Sequence, residues 1–366
     1  MATVSLCMIV RDEEAVLARC LDSVRNLVDE IVVVDTGSVD RTVEIAGNYT
    51  DRIFHFPWIG DFSAARNFSL EQARMEFCMW MDADDILPPE YGEEFLEKKK
   101  QLDERTDLVM MPYETAADDQ GRPLFVYERE RIFRRGAGFS FRGKVHEAVS
   151  PAGTILHWQI PIRHKKEGPG DPDRNLRIYQ KMEEEGETFD GRGLYYYGRE
   201  LLAHGQYEKA KRIFCEFLGR ADGWSENKID ASRQLAYCCY RLGMEEEALE
   251  ALLKALVYDV PRGETCCAIG RHFLDRGRYR QAAYWYEQAL KTEKRTDTGA
   301  FVEEECYGYL PAICLCVCYD RMGDLARAER YNELAGSFRP ESEHYRYNVD
   351  YFRKKRQEGD RTKAGL

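Results

Sequence analysis

Between Val4 and His164, short apolar runs alternate with stretches whose apolar positions recur at helical spacing. Val4–Val10, Ile31–Val34, Arg52–Phe56, Phe77–Met81 and Leu108–Pro112 have the length and apolar content of buried strands. The stretches Glu13–Asn26, Thr42–Asn48, Phe62–Arg74 and Pro89–Lys100 read as the intervening helices. In the first of these, Ala15, Leu17, Leu21, Val24 and Leu27 form one stripe, while Glu13, Glu14, Arg19 and Arg25 fall on the opposite face. Strands apolar on both faces and separated by helices predict a mostly parallel, Rossmann-like sheet covered on both sides.

From about Asp171 the strand pattern stops and a helical repeat takes its place. Gly198, Leu201, Gly205, Tyr207, Ala210 and Phe214 set a pattern that returns as Ala236, Cys239, Gly243, Ala248, Leu252 and Ala255. It returns again as Gly270, Phe273, Gly277, Ala282, Tyr286 and Ala289, then as Cys316, Tyr319, Gly323, Ala328, Ala335 and Pro340. The glycines at 205, 243, 277 and 323 are expected in the turns between paired helices, with an insertion around Thr296–Tyr307 lengthening the last interval. These segments resemble tetratricopeptide repeats, whose stacked helix pairs form a curved array with a concave peptide-binding face. The expected organisation is therefore an α/β domain over 1–170, helical repeats over 171–345 and a charged, solvated tail over 346–366.

Composition narrows the function classes. A formal charge of −12 runs against nonspecific nucleic-acid binding, which depends on basic surface. No apolar stretch approaches the ~20 residues of a membrane span, and the first apolar run is too short for a signal peptide, so a cytoplasmic setting is expected. The cysteines form no paired CxxC knuckles of a structural zinc site. Those at 238, 239, 266, 267, 314, 316 and 318 fall in helical patterns, where a free thiol serves as a small buried hydrophobe.

The chemistry concentrates where strands end. Val32-Val33-Val34-Asp35-Thr36-Gly37-Ser38 closes a strand with an acid and a glycine turn. Asp35 can accept from a base N–H or a ribose hydroxyl, or it can simply shape that turn. Phe77-Cys78-Met79-Trp80-Met81 runs directly into Asp82-Ala83-Asp84-Asp85. Strand alternation would point Asp82 and Asp84 the same way, and paired hard oxygens suit Mg²⁺ or Mn²⁺. An acidic loop capping the helix after Pro88-Pro89 is the plainer alternative.

Taken in order, Cys7-Met8-Ile9-Val10-Arg11-Asp12-Glu13-Glu14, Val34-Asp35-Thr36-Gly37-Ser38, Asp61-Phe62-Ser63-Ala64-Ala65-Arg66-Asn67 and Asp82-Ala83-Asp84-Asp85 resemble a family 2 glycosyltransferase. The resemblance spans residues 4 to 90 most closely and implies a GT-A nucleotide-sugar-binding domain that takes a UDP-sugar donor. It also implies that Val10 and Glu13 line the base and ribose site, Asp35 binds the nucleoside, Arg66 meets base or pyrophosphate, and Asp82 faces ribose or a metal-bound water. Asp84 would be the direct metal ligand. Arg11-Asp12 departs from the Lys-Asn of relatives with appended repeats, which opens the question of what Asp12 does.

Further along, Phe141-Arg142-Gly143-Lys144-Val145-His146-Glu147 resembles the acceptor-side segment of such enzymes. An inverting transfer needs a general base there, and Glu147 is favoured over His146. His164, at the end of Ile160-Pro161-Ile162-Arg163-His164, is expected to join the metal, with Lys165 and Lys166 beside it for the leaving diphosphate. A soluble peptide or protein is the expected acceptor, by resemblance to S-glycosyltransferases of bacteriocin peptides. The competing readings are a scaffold whose sugar-nucleotide domain has lost catalysis, and a nucleotidyltransferase. The latter calls for a glycine-rich basic loop that Arg11-Asp12-Glu13-Glu14 does not provide.

Overall fold

The computed structural model describes residues 2–117, 123–165, 167–168, 170–295 and 302–364. Lys166, part of the insertion near Thr296, and the extreme C-terminus lie outside them. Chain contacts divide into two compact units, Met1–Thr188 and Phe189–Leu366.

The first unit holds β1 (Val4–Val10), α1 (Leu17–Val24), β2 (Glu30–Asp35), α2 (Thr42–Ala46), β3 (Ile53–His55), α3 (Phe62–Glu71), β4 (Phe77–Trp80) and β5 (Asp85–Ile86). It continues through α4 (Gly92–Lys99), β6 (Leu108–Ala117), β7 (Pro123–Arg134), β8 (Phe141–Arg142), β9 (Ala148–Val149), β10 (Ile155–His157), β11 (Ile162–His164) and α5 (Arg174–Glu184). One mixed sheet runs β3-β2-β1-β4-β7-β6-β11-β5, with β10 also paired to β6, while β8 and β9 form a separate ribbon. Pairing is parallel for β1 with β2 and β4, for β2 with β3, and for β6 with β10 and β11. It is antiparallel where β7 inserts between β4 and β6, and where β11 meets β5.

Alternation along the strands separates two cores. Val4, Leu6, Met8, Phe77 and Met79 join Leu17, Cys20, Leu21 and Val24 of α1 on one face. Cys7, Cys78 and Trp80 point to the other, against Phe133, Phe141 and Val149. Helix α1 begins at Leu17, four residues later than the expected Glu13. The amides of Asp12, Glu13 and Glu14 are instead held by Ser38 Oγ, Thr42 Oγ1 and Asp40 Oδ2, which keeps this stretch as a loop above the sheet. Strand β7 was hidden in the sequence because Tyr127-Glu128-Arg129-Glu130-Arg131 has the polarity of a surface loop.

The second unit consists of α6 (Gly191–Ala203), α7 (Tyr207–Gly219), α8 (Ser225–Arg241), α9 (Glu245–Lys254), α10 (Gly263–Asp275), α11 (Tyr279–Ala289), α12 (Tyr309–Arg321), α13 (Leu325–Phe338) and α14 (Glu343–Ala364). Gly205, Gly243, Gly277 and Gly323 occupy the turns of four successive hairpins, each with φ between 66° and 80°. At each turn the glycine amide and the next amide bond back to carbonyls three and five residues earlier, as in Gly243 to Tyr240 and Met244 to Cys239. This left-handed helix stop is the glycine-dependent motif that the repeat pattern predicted. A methyl added at Gly243 would meet nothing within 4 Å. Gly243→Ala is thus expected to lower stability by about 1–2 kcal/mol through backbone strain alone, read from the urea midpoint. The cysteines at 238, 239, 266, 267, 314, 316 and 318 are buried free thiols, as expected, whereas Cys215 of α7 is exposed. Helix α14 carries the charged end of the chain in helical form, with Phe352 buried and 353–357 exposed.

Candidate active site

Three strand ends converge on the polar edge of the first unit. Val10 and Asp35 are register partners at the ends of β1 and β2, and Thr36 returns its amide and hydroxyl to the Val10 carbonyl. The buried Asp35 carboxylate accepts from the amides of Gly37 and Ser38 at 3.2 and 3.0 Å and lies 3.3 Å from His55 Nδ1. Burial opposes its ionisation, but these donors hold its pKa below the usual carboxylate value. Asp35 therefore shapes the turn, while the second lone pair on each oxygen leaves room for a ligand donor.

The Asp12 question has a structural answer. Asp12 has φ of 53°, a left-handed conformation that Asp and Asn tolerate better than most residues. Its Oδ1 accepts from the Val39 amide at 2.8 Å, while its own amide bonds Ser38 Oγ. It latches the loop after β1 to the loop after β2.

Beyond β4 the chain turns, and the Asp85 amide bonds the Asp82 carbonyl. Asp82 and Asp84 are half-buried, whereas Ala83 and Asp85 are buried. The strand alternation anticipated for Asp82 and Asp84 gives way to this turn, with Asp82 paired to Arg66 and Asp84 beside His164. Asp85 is fully buried and pairs with the equally buried Arg131 at 3.2 Å. Arg131 is also stacked, with its guanidinium carbon 4.1 Å from the Trp80 ring centre and 4.4 Å from that of Tyr113.

Helix α3 brings in the fourth motif. Asp61 caps it by accepting from the Ala64 amide at 2.9 Å. Asn67 exchanges two hydrogen bonds with the backbone of Phe141, fixing the β8–β9 ribbon against the helix. Arg66, one residue earlier, donates through Nη2 to Asp82 and through Nε to Glu147, both at 2.6 Å. It lies over the rings of Trp80 and Phe141 at 4.6 and 5.5 Å. Burial opposes ionisation of Asp82, but Arg66 and Arg131 outweigh it and hold its pKa at about 2. Arg66, Asp82 and Glu147 are thereby joined across 81 residues of sequence. His146 sits beside Glu147 with φ of 53°.

His164 closes the site through β11, where it is the register partner of Asp85. Its Nδ1 lies 3.3 Å from Asp84 Oδ1, 3.4 Å from Asp85 Oδ1 and 3.1 Å from Tyr113 Oη. Asp84, Asp85 and His164 can each present a ligand atom within 4.8 Å of the other two. Hydrogen bonds to Asp84 and Asp85 outweigh burial and push the imidazole pKa up to about 10. Two carboxylates and an imidazole with ligand atoms this close form a donor set that fits Mg²⁺ or Mn²⁺. The exposed Lys165 donates its amide to the Asp84 carbonyl. Lys166 lies outside the described residues.

Glu13 completes the carboxylate group. Burial, then the charges of Asp84 and Asp82, push its pKa up to about 7. The folded state therefore holds a proton that the unfolded chain has released, and Glu13 subtracts stability as pH rises from about 4.5 to 7. Asp82 acts with the opposite sign, its contribution vanishing only as pH falls from about 4 towards 2. In cation-free buffer, Glu13→Gln should flatten the decline in unfolding free energy between pH 4.5 and 7; an unchanged slope would contradict this placement.

Sequence reasoning missed Tyr113, Arg129 and Arg131. Arg129 lies 5.0 Å from the centre of the Trp80 ring and pairs with Glu130. Arg131 falls at a register shift, where Val109 and Met110 pair with Ile132 and Glu130. Such bulges re-aim side chains next to functional sites. The only available signal was the tight spacing of charges in Glu128-Arg129-Glu130-Arg131.

The chain is similar in sequence to several known proteins. A TPR repeat-containing protein of Synechococcus elongatus is 40% identical over 162 residues, covering 44% of this chain and 39% of that protein. The SPbeta prophage-derived glycosyltransferase SunS of Bacillus subtilis is 29% identical over 212 residues, 54% of this chain and 49% of that one. The lipopolysaccharide core biosynthesis glycosyltransferase LpsC of Rhizobium meliloti is 33% identical over 158 residues, 40% and 57% respectively. The chain thus spans about half the length of these relatives. Among solved structures, YrrB, described as a TPR protein with an unusual peptide-binding site, overlaps 49% of this chain and 84% of its own at 17% identity and a TM-score of 0.37. The helical fold of the second unit rests on its own hairpins rather than on that overlap. Residues 5–154 match the family model of Glycosyl transferase family 2.

Proposed function

We propose that the chain transfers a sugar from a nucleotide sugar, a UDP-sugar, to a soluble peptide or protein acceptor, with inversion at the anomeric carbon. The observation that carries this reading is the single cluster formed by Asp82, Asp84, His164, Arg66 and Glu147, assembled from four separate motifs. Asp84 and His164 would hold Mg²⁺ or Mn²⁺, which when bound supplies positive charge for the departing diphosphate.

The remaining roles belong to side chains. Asp35, Glu13 and the Val10 backbone line the nucleoside end. Arg66 keeps Asp82 ionised and fixes the Glu147 carboxylate through one oxygen, leaving the other to take the acceptor proton. His146, on the same turn, orients the acceptor. The helical repeats supply a surface for the acceptor or for another protein partner. No helix among the described residues is long and apolar enough to cross a membrane.

Thermal denaturation tests the donor site without knowledge of the acceptor. UDP with Mn²⁺ should raise the Tm of the first unit well above the value with either alone. Absence of any shift with UDP, GDP or CDP plus Mn²⁺ would sink the reading. The domain composition also allows a non-catalytic scaffold, which would bind UDP and Mn²⁺ but release none from a UDP-sugar.

A further inference from the structure

We infer that Glu130 is a positioning residue for Glu147: it clamps the short ribbon that carries Glu147 to the main sheet. That role presupposes the reading of Glu147 as the group that takes the acceptor proton.

Glu147 immediately precedes β9, on a connection from β8 that passes through left-handed backbone at Gly143 and His146. β8 and β9 pair only through Phe141 with Val149 and Arg142 with Ala148, apart from the main sheet. So short a two-stranded ribbon is marginal by itself in water, and the aim of Glu147 depends on what grips its edges. Asn67 of α3 grips one edge. Its carboxamide donates to the Phe141 carbonyl at 3.0 Å and accepts from the Phe141 amide at 2.8 Å. Glu130 of β7 grips the other. Its Oε1 accepts at 3.2 Å from the amide of Val149, the residue opposite Phe141.

Burying a carboxylate is costly unless donors surround it, and Glu130 is only 5% exposed. Arg129 supplies those donors, from Nη2 to Oε1 at 3.3 Å and from Nε to Oε2 at 3.4 Å. The same Nη2 lies 3.5 Å from the Glu147 carbonyl, so the pair reaches the backbone of Glu147 as well. The Glu130 carbonyl in turn accepts from the indole N–H of Trp80. Across the Trp80 ring lies Arg66, which holds Glu147 Oε1. Arg66 thus fixes the carboxylate at the tip of its side chain, and Glu130 fixes the main chain from which that side chain extends. Both grips matter, because a shift of about 1 Å in a reacting group can cost roughly 10²-fold in rate.

The test follows release of UDP from a UDP-sugar with Mn²⁺ by full-length Glu130→Leu, Glu130→Gln and Glu147→Gln. Glu130→Leu should lower kcat about 10²-fold, with the KM for the sugar nucleotide and the Tm shift by UDP plus Mn²⁺ near wild type. Glu130→Gln keeps an oxygen for the Val149 amide and should recover most of that loss. Wild-type kcat in Glu130→Leu would overturn the positioning role. A folded Glu130→Leu without the UDP-dependent Tm shift would overturn it too, because the donor site would then also depend on Glu130. Failure of Gln to recover turnover would assign the effect to charge and would equally overturn the anchor. Should Leu unfold the domain, Glu130→Asp, shorter by a methylene but still charged, replaces it: the same split supports the role, and wild-type kcat overturns it. Wild-type turnover in Glu147→Gln would instead remove the reading of Glu147 itself, whatever the result at Glu130.

Discussion

Asp84→Asn is expected to reduce turnover of a UDP-sugar by at least ~10²–10³-fold, while leaving the fold and unfolding midpoint close to wild type. The magnitude follows from losing charge stabilisation at the leaving group in a partly enclosed site. Selectivity for function over stability follows from the surroundings. The Asp84 carboxylate is half-buried, and its recorded partner is His164 at 3.3 Å. Asn preserves the size of the side chain and one oxygen. It also relieves crowding with Glu13, whose ionisation is disfavoured by Asp84. Unchanged turnover would refute the metal-ligand assignment; a collapse of stability would mean that Asp84 is structural.

Arg131→Met should have the largest effect on stability. Arg131 and Asp85 are both fully buried, so removing the cation leaves an uncompensated charge in the sheet. Such a loss costs about 3–5 kcal/mol. It also removes a guanidinium packed between Trp80 and Tyr113, whose volume Met only partly restores. The double variant Arg131→Met with Asp85→Asn should recover part of the loss, because no unpaired charge then remains. Urea unfolding of the first unit decides the matter. A single variant within 1 kcal/mol of wild type would be incompatible with a buried ion pair at this position.

The contrast between these two residues shows what was legible in the sequence. Asp84 was visible because an apolar strand ends there and the following acids break the pattern abruptly. Asp35 and His164 were visible for the same reason, and their order along the chain tied them to one site. Gly205, Gly243, Gly277 and Gly323 announced four helix turns because only glycine readily takes that backbone conformation. Arg131 had no such signal. Its burial depends on Asp85, Trp80 and Tyr113 arriving from three other strands or loops, and its aim depends on a local bulge. The bridge from Arg66 to Glu147 was equally hidden, since nothing local marks two residues 81 apart as partners. The late start of α1 was hidden too, because the side chains that capture its leading amides follow β2.

The most direct test is release of UDP from a UDP-sugar by the wild-type chain, measured with Mn²⁺, with a chelator, and after Mn²⁺ is restored. The geometry predicts release with Mn²⁺, loss with chelator and recovery on restoration. No release under any of the three conditions, across a panel of UDP-sugars, would contradict the assignment of this site to sugar transfer.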